Sequence, residues 1–403
     1  MTTRVAYILL WFPEPTQTFI LDEVNTLVRL GLDVTVFTLY GPRPPRRLAG
    51  MAKVEAPVVH LGLAAGGDIL RSLARLRRFW GPDAPPFLRQ VLLRRWRSLE
   101  TAGEALWAAL AGVHLAPRLK AGGYTHLHAP WADGPATAAW VASRLAGIPF
   151  SFCGHAHDIY PPDGALIEKL AAASLVRTIS HANRRYLADL APEAAPKIVH
   201  ITYGAPLTAS PRPPRPLTPP FQVLALGRLV EKKGFPVLLA ACRHLTEWGL
   251  DFHLTLAGDG PERRRLLHLA EEYGLTGRVD FPGHVPHNRV PDLFRRADLF
   301  VMPCLVARRG DRDGLPNVIL EALAFQVPVV ATDVNGINEA VRPGETGWLV
   351  PPEAPRLLAQ AMQEALSRPE ESQRRAQAGR ELVRREFDSR TNYARLKACI
   401  ENA

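Results

Sequence analysis

Two carboxylates, Asp313 and Glu321, stand eight residues apart in the second half of the chain. A strand-like run, Asp298–Pro303, precedes them, and the spacing of apolar residues from Leu315 onward predicts a helix with Pro316 in its first turn. Along a helix, that separation corresponds to a rise of about 12 Å and a turn of about 80°. Carboxylates this far apart are better placed to hold two ends of one long ligand than to act together on one bond.

Two cations, Arg228 and Lys233, follow another strand-like run, Phe221–Leu226. Because a helix N-terminus presents free N–H groups, the helix start after Asp313 is a candidate anion site. Together with the two cations it would neutralise a diphosphate without a metal. The alternative is an ordinary pair of surface cations, and the D-x-D formed by Asp311 and Asp313 is only weak support for a divalent cation.

Four histidines lie at the ends of two predicted strands in the first half of the chain. They are His126, His128, His155 and His157. The sequence has no HExxH or comparable ligand spacing on one helix, so a metal site is not expected. For His155, the structural alternative is an imidazole held by a neighbouring backbone carbonyl.

Alternating strands and helices organise both halves of the chain. The N-terminal half opens with a βαβ unit, Val5–Trp11, Thr18–Leu30 and Asp33–Leu39. Its first turn lacks GxGxxG, so a Rossmann-type NAD site is not expected there. Because the alternation restarts at Phe221, the pattern predicts an α/β fold of two doubly wound parallel sheets. Ligands should bind beyond the carboxyl ends of the strands, in a cleft between the two domains.

The domain boundaries follow from the chain length and from proline. A chain of 403 residues is expected to form two domains of roughly 200 residues each. The proline-rich run 206–220 has the composition of a stiff linker. We therefore predict an N-terminal domain over 1–205, a C-terminal domain over 221–385, and a C-terminal helix over 386–403 that packs back on the N-terminal domain.

The formal net charge of +10 favours polyanionic partners. Between Arg71 and Arg97, arginines are interleaved with large apolar residues. This stretch predicts either a basic amphipathic patch on an anionic membrane or two surface helices with solvated arginines. No helix-turn-helix, zinc-finger or RNA-binding signature accompanies the charge, so a nucleic-acid partner is not expected.

The redox state and the compartment follow from the cysteines and the apolar runs. The four cysteines form no C-x-x-C pair, so neither a disulfide framework nor a zinc site is expected. No apolar run reaches the roughly 20 residues of a membrane span, and the N-terminus does not resemble a signal peptide. The expected location is the cytoplasm, with peripheral attachment to the inner face of the plasma membrane if the basic stretch binds lipid.

A set of motifs in the second half resembles, in order and spacing, the motifs of retaining glycosyltransferases of family 4, which have the GT-B fold. They are Gly227–Val230 with Lys233–Gly234, Leu256–Pro261, Gly314–Asn317 with Glu321–Ala322, Val334–Glu339 and Gly344–Val350. The first half is similar to the exopolysaccharide, or colanic-acid-type, subgroup of that family. The similar segments are Phe12–Pro13, Thr18–Ile20, His126–Trp131 and His155–Tyr160.

The resemblance implies a metal-independent hexosyltransferase without a cofactor. A nucleotide-sugar donor would bind the C-terminal domain, and a glycan or lipid-linked acceptor would bind the N-terminal domain. The implied catalytic residues are His155, Arg228, Lys233 and Asp313, and the implied donor-binding residues are Gly227, Arg228, Lys233, Gly258, Gly314, Leu315, Pro316, Asn317 and Glu321. Arg228 and Lys233 would bind the donor diphosphate, and Glu321 would bind the ribose hydroxyls. Asp313 would contact the transferred sugar, and His155 would meet that sugar from the other domain.

Two positions depart from the family pattern. Asp313 stands where relatives carry Glu, and an Asp there is also suited to cap the following helix. Gln17 stands where relatives often carry Glu. The expected mechanism is front-face transfer, in which the leaving diphosphate helps to deprotonate the acceptor hydroxyl. The alternatives are a nucleotide-sugar epimerase and a catalytically silent sugar-nucleotide-binding protein.

Overall fold

The computed structural model divides the chain into two compact units. The first comprises Met1–Thr202 together with Arg390–Ala403, and the second comprises Tyr203–Ser389. The described residues are 3–45, 48, 51–62, 66–68, 71, 83–92, 98–160, 165–205, 211 and 217–403. Each unit is described by itself below.

The first unit is built on a seven-stranded sheet in which every pairing is parallel. Its strands are β1 (Arg4–Leu9), β2 (Asp33–Thr38), β3 (Val58–His60), β4 (His126–Ala129), β5 (Phe150–Gly154), β6 (Leu175–Thr178) and β7 (Ile198–His200). They lie in the order β3-β2-β1-β4-β5-β6-β7. The order therefore reverses between β1 and β4, which is where a doubly wound sheet binds ligands.

Helices cover the sheet of the first unit. They are α1 (Thr18–Arg29), α2 (Ala84–Leu92), α3 (Leu99–Ala121), α4 (Gly134–Ala146), α5 (Ala156–Ile159), α6 (Leu166–Ala172) and α7 (His181–Leu190). α1 buries Ile20, Val24 and Leu27 at helical spacing. α3 and α4 approach closely because small residues line their contact, and a Cβ at Gly112 would overlap the Ala138 carbonyl oxygen.

The second unit repeats the architecture with a six-stranded parallel sheet. Its strands are β8 (Phe221–Leu226), β9 (Phe252–Ala257), β10 (Val279–Gly283), β11 (Leu299–Met302), β12 (Val329–Thr332) and β13 (Trp348–Val350). In the order β10-β9-β8-β11-β12-β13, the reversal falls between β8 and β11. Every residue of β11 and β12 is buried, as expected for strands covered on both faces.

The remaining helices complete the fold. Those of the second unit are α8 (Phe235–Glu247), α9 (Arg263–Glu272), α10 (Val290–Arg296), α11 (Asn317–Ala324), α12 (Ile337–Ala340), α13 (Pro355–Ser367) and α14 (Pro369–Glu386). The last helix is α15 (Ser389–Glu401), and nearly all of it belongs to the first unit. There, Asn392 Nδ2 donates to Thr202 Oγ1 at 3.0 Å. In the described part of the chain, none of the helices combines the length and the apolar character that a membrane span requires.

The helix after Asp313 begins later than the sequence predicts. α11 starts at Asn317, and Pro316 is its N-cap, with an extended ψ of 125°, rather than a residue of its first turn. Because the residues from Asp313 to Pro316 are not helical, the helical separation predicted for Asp313 and Glu321 is wrong.

Two predicted segments lie largely outside the described residues. They are the proline-rich linker 206–220 and the arginine-rich stretch Arg71–Arg97. Of the arginines in that stretch, Arg71 and Arg89 are described, and Arg89 lies in the last turn of α2.

Candidate functional site

Two loops at the strand-order reversal of the second unit carry most of the predicted donor-site residues. Because β8 and β11 are parallel neighbours, the loops that follow them emerge at the same edge of the sheet. The Leu305 N–H donates to the Lys232 carbonyl at 2.9 Å. Gly234 packs so closely on Pro303 that a Cβ there would overlap the Pro303 carbonyl oxygen. These contacts hold the loop after β8 against the loop after β11.

Two buried lysines converge on Asp313 from the loop after β8. Lys233 Nζ lies 2.9 Å from Asp313 Oδ2, and Lys232 Nζ lies 3.6 Å from Asp313 Oδ1. Although burial raises the pKa of Asp313, the two ammonium groups lower that pKa to about 2. For Lys233, burial lowers the pKa, but the Asp313 carboxylate raises it above its ordinary value. Lys233 and Asp313 are therefore both charged at neutral pH.

The Asp313 side chain does not cap α11. Besides the two lysines it accepts a hydrogen bond from the buried Cys304 thiol, with 3.4 Å between Sγ and Oδ2. The N-cap position belongs to Pro316, which has no side-chain hydrogen bond to offer. The capping alternative for Asp313 is therefore wrong, and its carboxylate is held by the loops around it.

Several hydrogen-bond donors near these loops are available to a ligand. Arg228 is exposed, and within the described ranges no hydrogen bond or ion pair engages its guanidinium. It lies near enough to Lys233 to act on that lysine's pKa. In the described part of the chain, the main-chain N–H groups of Gly314, Leu315 and Asn317 also lack a hydrogen-bond acceptor. A guanidinium and unpaired N–H groups at a helix start are the donors that an anion requires.

The main-chain N–H groups of Gly227 and Gly258 are not available to a ligand. The Gly227 N–H donates to Ala257 at 3.0 Å, and the Gly258 N–H donates to Gly283 at 2.8 Å. Gly258 has a φ of +140°, and a Cβ there would overlap the Gly227 carbonyl oxygen. Gly258 therefore lets the ends of β8 and β9 approach one another, while the N–H groups of both glycines remain occupied within the protein.

Glu321 lies on α11 with 20% of its side chain exposed. Burial raises the pKa of this carboxyl to about 7. His287, in the 3₁₀ turn His287–Arg289 after β10, places its Nε2 4.0 Å from Glu321 Oε1. Burial lowers the pKa of His287, so the pair is not a strong ion pair at neutral pH. A half-buried carboxyl beside an imidazole can accept hydrogen bonds from hydroxyl groups once it is ionised.

In the first unit, His155 follows β5 and is the N-cap of α5. Its ring lies 4.2 Å from the Trp131 ring, centroid to centroid, and its Nδ1 lies 3.7 Å from Asp158 Oδ2. Burial opposes protonation, but the Cys153 sulfur and the Asp158 carboxylate raise the pKa of His155.

Asp158 joins the two loops that carry the predicted acceptor-side residues. Its carboxylate accepts the His155 N–H and the Ala132 N–H, each at 2.6 Å. The buried Lys169 strengthens the same region, because its Nζ donates to the Ala132 and Asp133 carbonyls at 2.6 and 3.2 Å. The buried Asp158 thus fixes the loops after β4 and β5 to each other, and Lys169 ties the loop after β4 to α6.

The other three histidines at these strand ends have surroundings different from those of His155. His126 Nε2 and His128 Nδ1 lie 2.7 and 2.8 Å from the Ser151 hydroxyl, inside the sheet. Burial lowers the pKa of both imidazoles, that of His126 to about 4. They are neutral core groups, whereas His157 is exposed.

No sequence pattern predicted the role of four residues in these sites. They are Asp158, Lys232, His287 and Cys304. Asp158 stands three residues after His155, which is the spacing of a capping box and would have identified it. Nothing local distinguishes Lys232 from Lys233, and nothing local connects His287 with Glu321.

The chain is similar in sequence to known glycosyltransferases. Residues 210–382, which lie within the second unit, match the family model described as "Glycosyl transferases group 1". The chain is 28% identical over 401 residues to a putative colanic acid biosynthesis glycosyltransferase, WcaL, of Escherichia coli K12, covering 89% of each. It is 32% identical over 186 residues to the amylovoran biosynthesis glycosyltransferase AmsK of Erwinia amylovora, covering 45% of each.

The fold has a solved counterpart. The crystal structure of Anabaena Alr3699/HepE in complex with UDP superposes with a TM-score of 0.73 at 17% identity and covers 100% of both chains. The predicted GT-B architecture of two Rossmann-like parallel-sheet domains is confirmed. The chain is a glycosyltransferase whose second unit contains a group 1 glycosyltransferase domain. The comparisons give no support to the epimerase alternative.

Proposed function

We propose that the chain is a retaining, metal-independent glycosyltransferase of exopolysaccharide biosynthesis. It transfers a sugar from a nucleoside diphosphate sugar to a glycan or lipid-linked acceptor. The observation that carries this proposal is the set of anion-binding groups in the second unit: the exposed Arg228, the buried Lys233 and the unpaired N–H groups at the start of α11. Similarity to WcaL and AmsK, which are named for colanic acid and amylovoran biosynthesis, supports the biosynthetic role.

The donor contacts follow from the chemistry of each group. Arg228 and Lys233 bind the diphosphate, because a guanidinium and an ammonium form charge-assisted hydrogen bonds to phosphate oxygens. Glu321 accepts hydrogen bonds from the ribose hydroxyl groups. Asp313 and the N–H groups of Gly314 and Leu315 hold the transferred sugar. No residue in this set is assigned to a metal.

The transfer step keeps the sugar's anomeric configuration. The bond between the anomeric carbon and the diphosphate oxygen breaks, and the acceptor oxygen bonds to the same face of that carbon. The acceptor proton passes to an oxygen of the leaving diphosphate. Arg228 and Lys233 stabilise the charge that develops on this leaving group, which is the main electrostatic contribution of the protein.

The N-terminal domain supplies the acceptor side in this proposal. His155, which lies beside Asp158 and has a raised pKa, is the catalytic residue that we assign to this unit. Its position is kept by the buried contacts between the loops after β4 and β5.

Variants at Arg228 and Lys233 test the donor assignment. A screen of nucleotide sugars by thermal shift identifies the donor, since a ligand at 100 times its Kd stabilises the folded state by about 2.7 kcal/mol. With that donor, Arg228→Ala and Lys233→Ala should each lower kcat by about 100-fold or more. NMR of the product should show the donor's anomeric configuration.

The matched control is Arg356→Ala. Arg356 is an exposed arginine at the start of α13 without an ion pair among the described residues, so its removal should leave transfer unchanged. Near-wild-type turnover in both Arg228→Ala and Lys233→Ala would refute the donor assignment. Donor binding without hydrolysis or transfer would support the catalytically silent alternative instead.

We also infer that the first unit attaches to an anionic membrane surface. The arginine-rich stretch ends at Arg97, and α3 begins two residues later with Leu99, which is 93% exposed, and continues to Leu106, which is 46% exposed. Exposed apolar side chains next to basic ones are the composition of an interfacial segment.

Liposome sedimentation tests the attachment. Wild type should pellet with vesicles that contain anionic lipid and not with neutral vesicles, and the double variant Leu99→Asp/Leu106→Asp should pellet less. Leu267→Asp, on α9 of the second unit at a side chain that is 37% exposed, is the matched control. Equal sedimentation with neutral and anionic vesicles, or none with either, would contradict the inference.

A further inference from the structure

The ammonium group of Lys232 lies between the two carboxylates of the D-x-D sequence. Lys232 Nζ is 3.1 Å from Asp311 Oδ1 and 3.6 Å from Asp313 Oδ1. The Lys232 side chain is only 6% exposed, whereas those of Asp311 and Asp313 are 37% and 17% exposed. A buried ammonium is costly unless carboxylates compensate its charge, and here two carboxylates do so.

The main chain holds Lys232 and Asp311 in place independently of their ion pair. The Lys232 carbonyl accepts the Leu305 N–H at 2.9 Å. In the turn before Asp311, the Gly310 N–H donates to Ala307 at 2.7 Å, and the Ala307 N–H donates to the Asp311 carbonyl at 2.8 Å. The arrangement is therefore built by the fold, unlike an ion pair between mobile surface side chains, which contributes little.

The two adjacent lysines differ in what they contact. Lys233 Nζ reaches Asp313 through Oδ2, whereas Lys232 Nζ reaches both Asp311 and Asp313. A donor diphosphate would compete with Asp313 for Lys233, because phosphate and carboxylate oxygens bind the same ammonium hydrogens. The cation that keeps Asp313 ionised during transfer must be one that the diphosphate does not engage.

We propose that Lys232 is the resident cation of the Asp311–Asp313 pair. It takes the place between the carboxylates where a divalent cation would otherwise bind, and it positions Asp313 while Lys233 binds the donor diphosphate. This rests on the proposed function only in assigning the donor to this site. Among the described residues, the groups that face the Asp313 carboxylate are Lys232, Lys233 and the Cys304 thiol, and of these Lys232 also contacts Asp311.

A cation-binding measurement tests the pair without any assay of transfer. Lys232→Met removes the charge and keeps most of the stem, so this variant should take up one Mn²⁺ per chain, observed as loss of the free-ion signal in electron paramagnetic resonance. Wild type, Lys232→Arg and the double variant Lys232→Met/Asp311→Asn should take up none at this pair. Absence of uptake by Lys232→Met, or uptake that persists in the double variant, would overturn the proposal.

Kinetics of transfer test the positioning role. Lys232→Met should lower kcat about tenfold with donor KM within about threefold, and the acidic limb of the kcat–pH profile should move up by about one pH unit, because Asp313 loses a nearby cation. Lys232→Arg should restore both. Lys397→Met, which removes the ammonium of a partly exposed ion pair to Glu401 on α15, is the control for losing a lysine.

The outcomes distinguish the positioning role of Lys232 from the proposed function. An unchanged kcat and pH profile in Lys232→Met would refute the positioning role. Equal losses in Lys232→Met and Lys232→Arg with an unmoved pH profile would indicate packing alone and would also refute it. If the wild type transfers no sugar, the proposed function fails, but the Mn²⁺ measurement still decides the role of Lys232.

Discussion

Gly234 joins the loop after β8 to α8, and its replacement by alanine should separate two loops of the donor site. Its φ is +65°, in the left-handed region, and a Cβ there would overlap the Pro303 carbonyl oxygen in the loop after β11. Gly274, at the end of α9 in the same unit, has nearly the same φ of +67° but nothing within 4 Å of an added Cβ. An alanine at either position would therefore have the same backbone strain, but only the alanine at position 234 would overlap another residue.

The comparison gives an expected size for each effect. Alanine in the left-handed region costs about 1 kcal/mol, so Gly274→Ala should lose about that much stability and keep its donor affinity. Gly234→Ala carries the same strain, and forced displacement of packed atoms adds about 1–3 kcal/mol. Since the displaced backbone adjoins Lys233, donor affinity should fall at least tenfold in Gly234→Ala.

Hydrogen exchange measured by mass spectrometry reports the stability of the second unit separately from the first, through peptides that cover β8 and β11. Calorimetry with the donor identified by the thermal-shift screen gives the affinity. If Gly234→Ala and Gly274→Ala lose the same stability and bind the donor equally well, the close approach at Pro303 does not shape the site, and the reasoning is wrong.

Three further predictions concern ionisable groups. Because burial raises the pKa of Glu321 to about 7, donor affinity measured by calorimetry should increase as the pH rises from about 6 to 8, and Glu321→Gln should abolish this dependence. Buried His126 is neutral in the folded first unit, with its pKa lowered to about 4. Because protonation of His126 favours the unfolded state, roughly 3 kcal/mol of stability that is present above the unfolded pKa of about 6.5 is lost as the pH falls towards 4. Hydrogen exchange of β4 should detect this loss of stability. Exchange that stays constant over this pH range would contradict the prediction. Asp158→Asn should increase exchange in the loops after β4 and β5 and lower kcat, because each oxygen of Asp158 accepts one main-chain N–H and Asn keeps only one acceptor oxygen. Unchanged exchange would contradict this role.

Local patterns in the sequence were sufficient to predict the repeating strands and helices. The strand Phe221–Leu226 occurs with the predicted bounds, because a glycine that leaves the sheet, Gly227, closes its apolar run. The strand-then-loop pattern also identified which loops would reach the ligand-binding edge. The start of α11 was displaced because Pro316 adopts an extended ψ, and a proline is compatible with both the N-cap and the first turn.

By itself, the sequence determined the α/β class, the two repeated halves, and the residues Arg228, Lys233, Asp313 and Glu321 as the ones to examine. The tertiary structure alone decided their partners. Lys232 and Asp311 are 79 residues apart in the chain and meet only because β8 and β11 are adjacent in the sheet. The Lys232 contact turns the D-x-D from a weak indication of a metal site into a pair already compensated by an ammonium. Such a pairing depends on strand order, which periodicity and motif spacing do not encode.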